Sequence, residues 1–237
     1  MLLALWSPKG GSGTSVLAAA AALVLARGPA GGCRLADLDG DQPAIFGFAS
    51  EPELGLFDWL AAGPETPSEA LDRLAVEVAP GVGLLPSGRA TSLLDARPAA
   101  EAGAALAVAL RDGPLPVVVD CGRAAEPAAR AVTEVADATV VVVRGCYLAL
   151  RRAVGSGALA ATSAAVLVEE PGRSLSRREV ADVLGVPVVA RVPFREQVFR
   201  AVDAGVLATR LPDSLAHAAS DVTTRVGRGP ARRGAAA

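Results

Sequence analysis

Apolar residues occur along the chain in two kinds of segment that alternate with each other. Short runs rich in valine and leucine have the length of strands buried on both faces of a sheet. Longer segments rich in alanine and leucine separate them and favour helices. This alternation predicts an α/β fold with a mainly parallel, doubly wound sheet and helices on both faces. Strands are predicted at residues 2–6, 33–36, 117–120, 139–143, 164–168 and 186–192, with a further strand and turn at 79–88.

The helical segments are bounded by glycine, proline and short polar residues, which commonly begin or end helices. Helices are predicted at residues 16–26, 42–48, 55–62, 67–76, 99–111, 148–154 and 174–184. Residues 211–237 are expected to begin as a helix and then to lose regular structure in a run of glycine, proline, arginine and alanine.

Composition and charge limit the kinds of partner. A length of 237 residues fits one large α/β domain, and a net charge of −2 argues against a general nucleic-acid-binding surface. The three cysteines show no C-x-x-C spacing and are expected to be small buried residues in a reducing compartment. The longest apolar run, 16–26, is too short to span a bilayer. The sequence therefore predicts a cytoplasmic protein with no integral membrane segment and no specific nucleic-acid partner.

A glycine-rich loop joins the first predicted strand to the first predicted helix. Glycine permits a positive φ and a close approach of backbone N–H groups to a ligand, and the N-terminus of the following helix carries partial positive charge. The loop is therefore a candidate anion site, although it could also be a turn that binds nothing. Lys9 is the only lysine of the chain, against 22 arginines, so its place in this loop is notable, although it could be a solvated turn residue. The candidate nucleotide-binding residues are Lys9, Gly10, Gly11, Ser12, Gly13, Thr14 and Ser15.

Acidic residues follow two of the predicted strands. Asp39 comes just after the strand 33–36, and Asp120 ends the strand 117–120. The carboxyl ends of parallel strands are where ligands of open α/β sheets bind. Both acids could instead serve only as caps of the segments that follow them.

The loop resembles the deviant phosphate-binding loop of the ParA/MinD family of dimerising ATPases, written K-G-G-x-G-K-[ST]. Lys9 to Ser15 satisfies every position except the second lysine, where the chain has Thr14. The segments 79–88, 117–120 and 193–205 are similar to three further blocks of that family, in the same order. The resemblance covers residues 1–215 and leaves 216–237 as the end of a helix and a flexible basic tail. Its details are most similar to the CpaE/TadZ branch and to septum-site-determining-like proteins.

The resemblance implies ATP and Mg²⁺ as cofactors and a nucleotide-dependent homodimer. Lys9 would reach the nucleotide of a partner subunit, and Asp39 would position the attacking water. Ser15 would bind Mg²⁺ directly, and Asp120 would hold it through water. Relatives also carry an asparagine after the strand 164–168 to bind adenine, whereas this chain contains no asparagine.

Three functions remain open from the sequence. The first is a nucleotide-binding dimerising switch that positions a secretion, pilus or septum apparatus through protein partners, with weak ATPase activity at most because Thr14 replaces the loop lysine. The second is a pseudo-ATPase scaffold that binds partners without nucleotide. The third is another enzyme of the same fold, such as a tyrosine-kinase-like or metal-insertion relative, against which the single tyrosine and the missing C-x-C argue.

Overall fold

The computed structural model describes residues 1–89 and 96–227. It contains one eight-stranded sheet with the strand order β3-β4-β2-β5-β1-β6-β7-β8. All neighbouring strands are parallel except β3 and β4, which are antiparallel. The predicted mainly parallel α/β fold is confirmed. The strands are β1 (Leu2–Trp6), β2 (Cys33–Asp37), β3 (Val76–Ala79), β4 (Val82–Leu85), β5 (Val117–Asp120), β6 (Ala138–Arg144), β7 (Ala164–Glu169) and β8 (Val188–Pro193).

Helices cover both faces of this sheet. One core contains residues of α3 to α8, and the other contains residues of α1, α2, α9 and α10. A short 3₁₀ helix, Gly157–Ala161, lies on the first of these faces. The helices are α1 (Thr14–Ala26), α2 (Gln42–Ile45), α3 (Leu56–Ala61), α4 (Glu69–Leu74), α5 (Ala96–Asp112), α6 (Pro127–Val135), α7 (Tyr147–Val154), α8 (Arg177–Leu184), α9 (Glu196–Asp203) and α10 (Asp213–Gly227).

Strand β1 lies at the centre of the sheet and belongs to both cores. Its successive side chains point to opposite faces, so Leu2, Ala4 and Trp6 lie in one core while Leu3 and Leu5 lie in the other. All five are fully buried. This explains why the strand is uniformly apolar rather than alternating, and it fixes the position of the loop that follows Trp6.

Helix α1 is buried along most of its length. Its alanines 18–22 have no exposed surface, and they lie against the same core as β1, β2 and β5. Alanine has the highest helix propensity and the smallest side chain that still fills a core, which allows close packing of a helix on a sheet.

Several predicted boundaries differ from the structure. Val76, predicted to end a helix, begins β3 instead, because its backbone pairs with Leu84 of β4. The predicted helix 42–48 ends at Ile45. Gly47 has a φ of 79°, which is not a helical conformation, and its backbone packs closely against Gly205. Helix α8 begins at Arg177 rather than at residue 174, since the Ser176 side chain caps the backbone N–H of Glu179. The sequence did not predict α6, α9 or the 3₁₀ helix.

The predicted boundary between residues 215 and 216 falls inside α10. Leu215, Ala218, Ala219 and Val222 of this helix are all buried in the α1 core. Residues 228–237, which belong to the predicted basic tail, lie outside the described residues. In the described part of the chain, no helix is both long and apolar enough to cross a membrane.

The contact between α5 and α6 gives a prediction about stability. A Cβ at Gly103 of α5 would lie 2.5 Å from the Ala128 backbone of α6. Gly103→Ala is therefore expected to lower the free energy of unfolding by about 1–3 kcal/mol, despite the higher helix propensity of alanine. Urea unfolding would measure the change.

Gly155→Ala is a matched control, because the added Cβ would have no neighbour closer than 3.6 Å. We expect that variant to stay within about 0.5 kcal/mol of the wild type. Equal stability of all three proteins would show that α5 and α6 are not in such close contact.

Candidate functional site

A cavity of about 490 Å³ opens at the carboxyl ends of the central strands. The glycine-rich loop after β1 and the first turn of α1 form one wall of it. The opposite side includes Asp39 and Asp41, which follow β2, and Arg123, which follows β5. The topology of a parallel sheet explains this convergence, because all of these segments leave the same edge of the sheet.

The loop has the backbone geometry of an anion site. Gly11 and Gly13 have φ values of 71° and 84°, which are strained for residues with a side chain. A side chain at Gly10 or Gly13 would meet no atom within 4 Å, so this face of the loop is open. Helix α1 has no side-chain N-cap, which leaves the N–H groups of its first turn available to a ligand.

Two serine hydroxyls stabilise the loop from within. Ser7 and Ser12 both donate to the backbone carbonyl of Lys9, at 3.1 Å and 2.7 Å. The backbone N–H of Ser7 also donates to the carbonyl of Gly122, at 2.8 Å, which joins the start of the loop to the segment after β5. These bonds stabilise the conformation of the loop.

Thr14 occupies the loop position at which the resembling family carries its second lysine. Its side chain is 5% exposed and lines the cavity. Its Oγ1 atom is buried and has no hydrogen-bond partner among the described residues. A buried hydroxyl without a partner is costly, and a ligand oxygen in the cavity would relieve that cost.

Lys9 lies apart from the residues that line the cavity. Its side chain is half-buried and is not part of the cavity lining, whereas the next residue, Gly10, does line the cavity. The role predicted for Lys9, contact with a nucleotide in a partner subunit, stays a prediction.

Asp39 lies at the edge of the cavity and packs against Gly122. A Cβ at Gly122 would overlap the Asp39 carboxylate, so only glycine fits at this point of the segment after β5. Partial burial raises the pKa of Asp39, the nearby Asp41 carboxylate raises it further, and the positive charge of Arg123 lowers it. The carboxylate is thus placed where a water or a metal ion in the cavity could meet it.

Two further acids, Asp37 and Asp120, lie side by side at the ends of β2 and β5. They are partners in the strand register, and neither side chain has exposed surface. The Asp37 carboxylate accepts hydrogen bonds from the backbone N–H groups of Asp39, Gly40 and Gln42 at 3.1, 2.7 and 3.1 Å, which shapes the turn that carries Asp39. Burial raises the pKa of both carboxyl groups, and for Asp37 the nearby Asp120 raises it further.

Gln42 links the loop to this acid pair. Its Nε2 donates to the backbone carbonyl of Ser15 at 3.0 Å and to Oδ2 of Asp120 at 2.8 Å. The second oxygen of Asp120 accepts from the N–H of Gly122 at 3.1 Å. Ser15 and Asp120, predicted to share a metal, are therefore neighbours, but both oxygens of Asp120 already have donors and its side chain does not line the cavity.

The described residues include no cluster of three or more histidine, cysteine or acidic side chains that could hold a metal ion by itself. The residues that line the cavity and carry side-chain oxygens include Ser15, Asp39, Asp41 and Asp203. Oxygen donors of this kind suit Mg²⁺, which keeps several waters and needs few protein ligands. The residues present fit a Mg²⁺ that is also bound by ligand phosphates, and the roles predicted for Ser15 and Asp120 stay predictions.

A second, smaller cavity of about 120 Å³ lies on the other side of the loop. Its walls are mainly apolar and include Val198 and Phe194, whose ring packs on Phe199 with a centroid distance of 4.4 Å. Arg144 supplies the polar side and forms an ion pair with Glu170 at 3.1 Å. A mainly apolar cavity beside an anion loop has the form of a site for a nucleotide base.

The solved structures to which the chain is similar are ATPases of the ParA/MinD family. A ParA family ATPase from Chlorobium tepidum has a TM-score of 0.75 at 20% identity, covering 95% of this chain and 98% of that one. MinD in the MinC:MinD cell division complex of Aquifex aeolicus has a TM-score of 0.74 at 18% identity, covering 98% of each chain. MinD from Pyrococcus horikoshii in complex with Mg-ADP has a TM-score of 0.72 at 19% identity, covering 93% of each chain.

No protein-family profile and no curated protein sequence matches the chain. The comparison therefore rests on structural similarity, which shows that the chain has the fold of ParA/MinD P-loop ATPases.

Sequence reasoning missed several residues of the site. Asp37, Gln42 and Arg123 were not among the candidate site residues predicted from the sequence. Their contacts join segments up to 78 residues apart, which local patterns do not reveal. The available signal was the polar run that follows each strand, since residues at those positions converge at one edge of the sheet.

The buried acid pair predicts a particular pH dependence. Because the pKa values of Asp37 and Asp120 are raised above 3.8, the folded state retains protons that the unfolded state releases. The contribution of the pair to stability is therefore present at low pH and is lost as the pH rises from about 4 towards 7. Asp120→Asn removes one of these groups, so its stability relative to the wild type should improve as the pH rises through this range. Thermal unfolding at several pH values would measure this.

Asp182→Asn, on the exposed surface of α8, serves as the control. Its stability relative to the wild type should show no such trend. Parallel curves for Asp120→Asn and the wild type would contradict the shared burial of the two acids.

Proposed function

We propose that the chain is a nucleotide-binding, dimerising switch of the ParA/MinD kind that positions a cellular apparatus. The observation that carries this proposal is the open glycine loop at the N-terminus of α1, whose residues Gly10 to Ser15 line the cavity. Such a loop supplies N–H donors and a helix dipole to phosphate oxygens. The fold shared with ParA and MinD structures supports the same conclusion.

The proposed ligand is ATP with Mg²⁺. The loop N–H groups and the Thr14 hydroxyl would hold the phosphates, and the apolar cavity beside Val198 would hold the base. Ser15 and Asp39 are the residues that would hold the metal ion, which would neutralise phosphate charge. Asp37 fixes the turn that carries Asp39, and Gln42 ties that turn to Ser15.

Hydrolysis is proposed to be weak. A charged hydrogen bond contributes about 1.5–3 kcal/mol, and the neutral Thr14 hydroxyl cannot replace the charge of a loop lysine. Asp39 is placed to orient a water, but transition-state charge on the phosphates would lack that lysine. Binding of nucleotide is thus better supported than rapid turnover.

The proposed partners are a second copy of the chain and a protein of a secretion, pilus or septum apparatus. The similar MinD of Aquifex aeolicus was solved in a complex with MinC, which supports a protein partner. The resemblance of the sequence to the CpaE/TadZ branch supports a pilus or secretion apparatus. We propose a cytoplasmic location on the same grounds.

A pseudo-ATPase scaffold is the alternative. The charge of the cavity favours it, because Asp39, Asp41 and Asp203 line the cavity whereas Lys9 does not. An acidic cavity opposes a free anion, so a scaffold would bind its partners without nucleotide. Calorimetric titration with ATP and Mg²⁺ tests the choice directly, since a scaffold would give no binding heat.

Thr14→Lys should raise the affinity for ATP with Mg²⁺ by about 10- to 100-fold, because it restores a charged contact to the phosphates. Wild-type turnover should lie well below the ~1–100 s⁻¹ typical of kinases. Titration calorimetry and a phosphate-release assay would measure both. Thr224→Lys, on the exposed side of α10, introduces the same change away from the site and should leave the ATP affinity and the turnover unchanged. Rapid wild-type turnover would contradict weak hydrolysis.

Lys9→Ala should abolish nucleotide-promoted dimerisation and leave the monomer folded. Lys9 supplies no side chain to either core, so its loss should not destabilise the fold. Light scattering with a non-hydrolysable ATP analogue, over a range of protein concentrations, would measure the mass. Arg178→Ala on α8 is the control for loss of one positive charge. Equal masses for the wild type with and without nucleotide would favour the scaffold.

A further inference from the structure

Arg123 is the one cationic side chain among the described residues that line the loop cavity. Its side chain is exposed to solvent, and its positive charge lowers the pKa of Asp39, another residue that lines the cavity. Arg144 differs, because it faces the smaller apolar cavity and is paired with Glu170. Within residues 1–89 and 96–227, no ion pair is found for Arg123 that an entering anion would have to break.

The backbone on both sides of Arg123 is left-handed, and it is strained at Ala124. Gly122 has a φ of 51°, and Ala124 has a φ of 48°, the one positive value for a residue other than glycine among the described residues. An alanine in this region costs about 1–3 kcal/mol, and such strain concentrates at functional sites. The turn is nevertheless held firmly, since Ala124 donates to the carbonyl of Cys121 at 2.7 Å.

The same turn is tied to the phosphate-binding loop. The carbonyl of Gly122 accepts from the N–H of Ser7, and the N–H of Gly122 donates to Asp120. These bonds fix the backbone before Arg123 against both β1 and β5. Arg123 therefore lies in a rigid turn and is one of the residues that line the cavity.

We propose that Arg123 supplies, within the same chain, the positive charge on the nucleotide phosphates that the loop lacks at Thr14. The inference rests on the proposed function, because it assumes that the cavity binds a nucleoside polyphosphate. Arg123 is a donor with a permanent charge, and a guanidinium can make two parallel hydrogen bonds to phosphate oxygens. It offsets part of the negative charge of Asp39, Asp41 and Asp203 around the cavity.

The test compares ATP, ADP and AMP, each titrated with Mg²⁺ into the wild type and Arg123→Ala. Loss of a phosphate contact should weaken ATP binding by about 10- to 100-fold and AMP binding by less than about 3-fold. A purely structural role of Arg123 would weaken all three ligands equally. Arg123→Lys keeps the positive charge, so its affinity for ATP should stay within about 10-fold of the wild-type affinity. This variant separates loss of the charge from a folding defect in Arg123→Ala.

Arg178→Ala is the matched control, because it removes one arginine from the exposed surface of α8 and should leave all affinities unchanged. The double variant Thr14→Lys/Arg123→Ala tests the exchange of one charge for the other. If the two cations serve the same phosphates, the double variant should regain most of the wild-type affinity for ATP.

The outcomes separate the inference from the proposed function. Wild-type binding of ATP with no loss in Arg123→Ala overturns the inference and leaves the proposed function standing. Equal losses for ATP and AMP, or a double variant as weak as Arg123→Ala alone, also overturn the inference. If the wild type binds none of the three nucleotides, both the proposed function and the proposed role of Arg123 are wrong.

Discussion

Parallel pairing on both edges of β1 is the constraint on which the rest of the structure depends. β5 pairs with one edge and β6 with the other, so β1 has no exposed edge and no exposed face. Every strand that runs parallel to it ends at the same side of the sheet. Three parts of the chain meet there: the glycine-rich loop after β1, the acid that ends β5 and the segment after β2. They meet because each lies at the carboxyl end of one of these parallel strands.

Much of this arrangement could be predicted because its causes are local. Uninterrupted apolar runs such as β1 and β5 can only be buried on both faces, and a strand followed by glycines and an alanine-rich helix predicts the loop. The antiparallel strand β3 could not be predicted in this way. Its first residue, Val76, follows a helical segment directly, and only pairing with β4 decides its conformation.

Gln42 and Arg123 show the same limit within the candidate site. Gln42 lies in a sequence that favours the start of a helix, yet its amide bridges two segments that are distant along the chain. Arg123 is one of 22 arginines and is distinguished only by the strained turn that carries it. Resemblance to a family could not identify either residue, because it carries over only residues that match the family's motif.

The proposed phosphate site combines a glycine loop at a helix N-terminus with Thr14 at the position where the resembling family carries its second lysine. The partial charge at a helix N-terminus contributes about 0.3–1 kcal/mol to an anion, less than a charged side chain does. In the proposed complex the loop donors, the Thr14 hydroxyl, Arg123 and a metal ion would together hold the ligand among acidic neighbours. Small changes in magnesium concentration should therefore matter more here than at a loop that carries its own lysine.

Helix α1 has a consequence for how this chain can change over evolutionary time. Its packing comes from Leu17, Leu23 and the small residues between them, all of which lie beyond the loop. The proposed ligand-binding loop thus lies outside the closely packed segment 17–23, which admits almost no larger side chain. Substitutions at the open face of the loop should therefore be tolerated more readily than substitutions in the helix behind it.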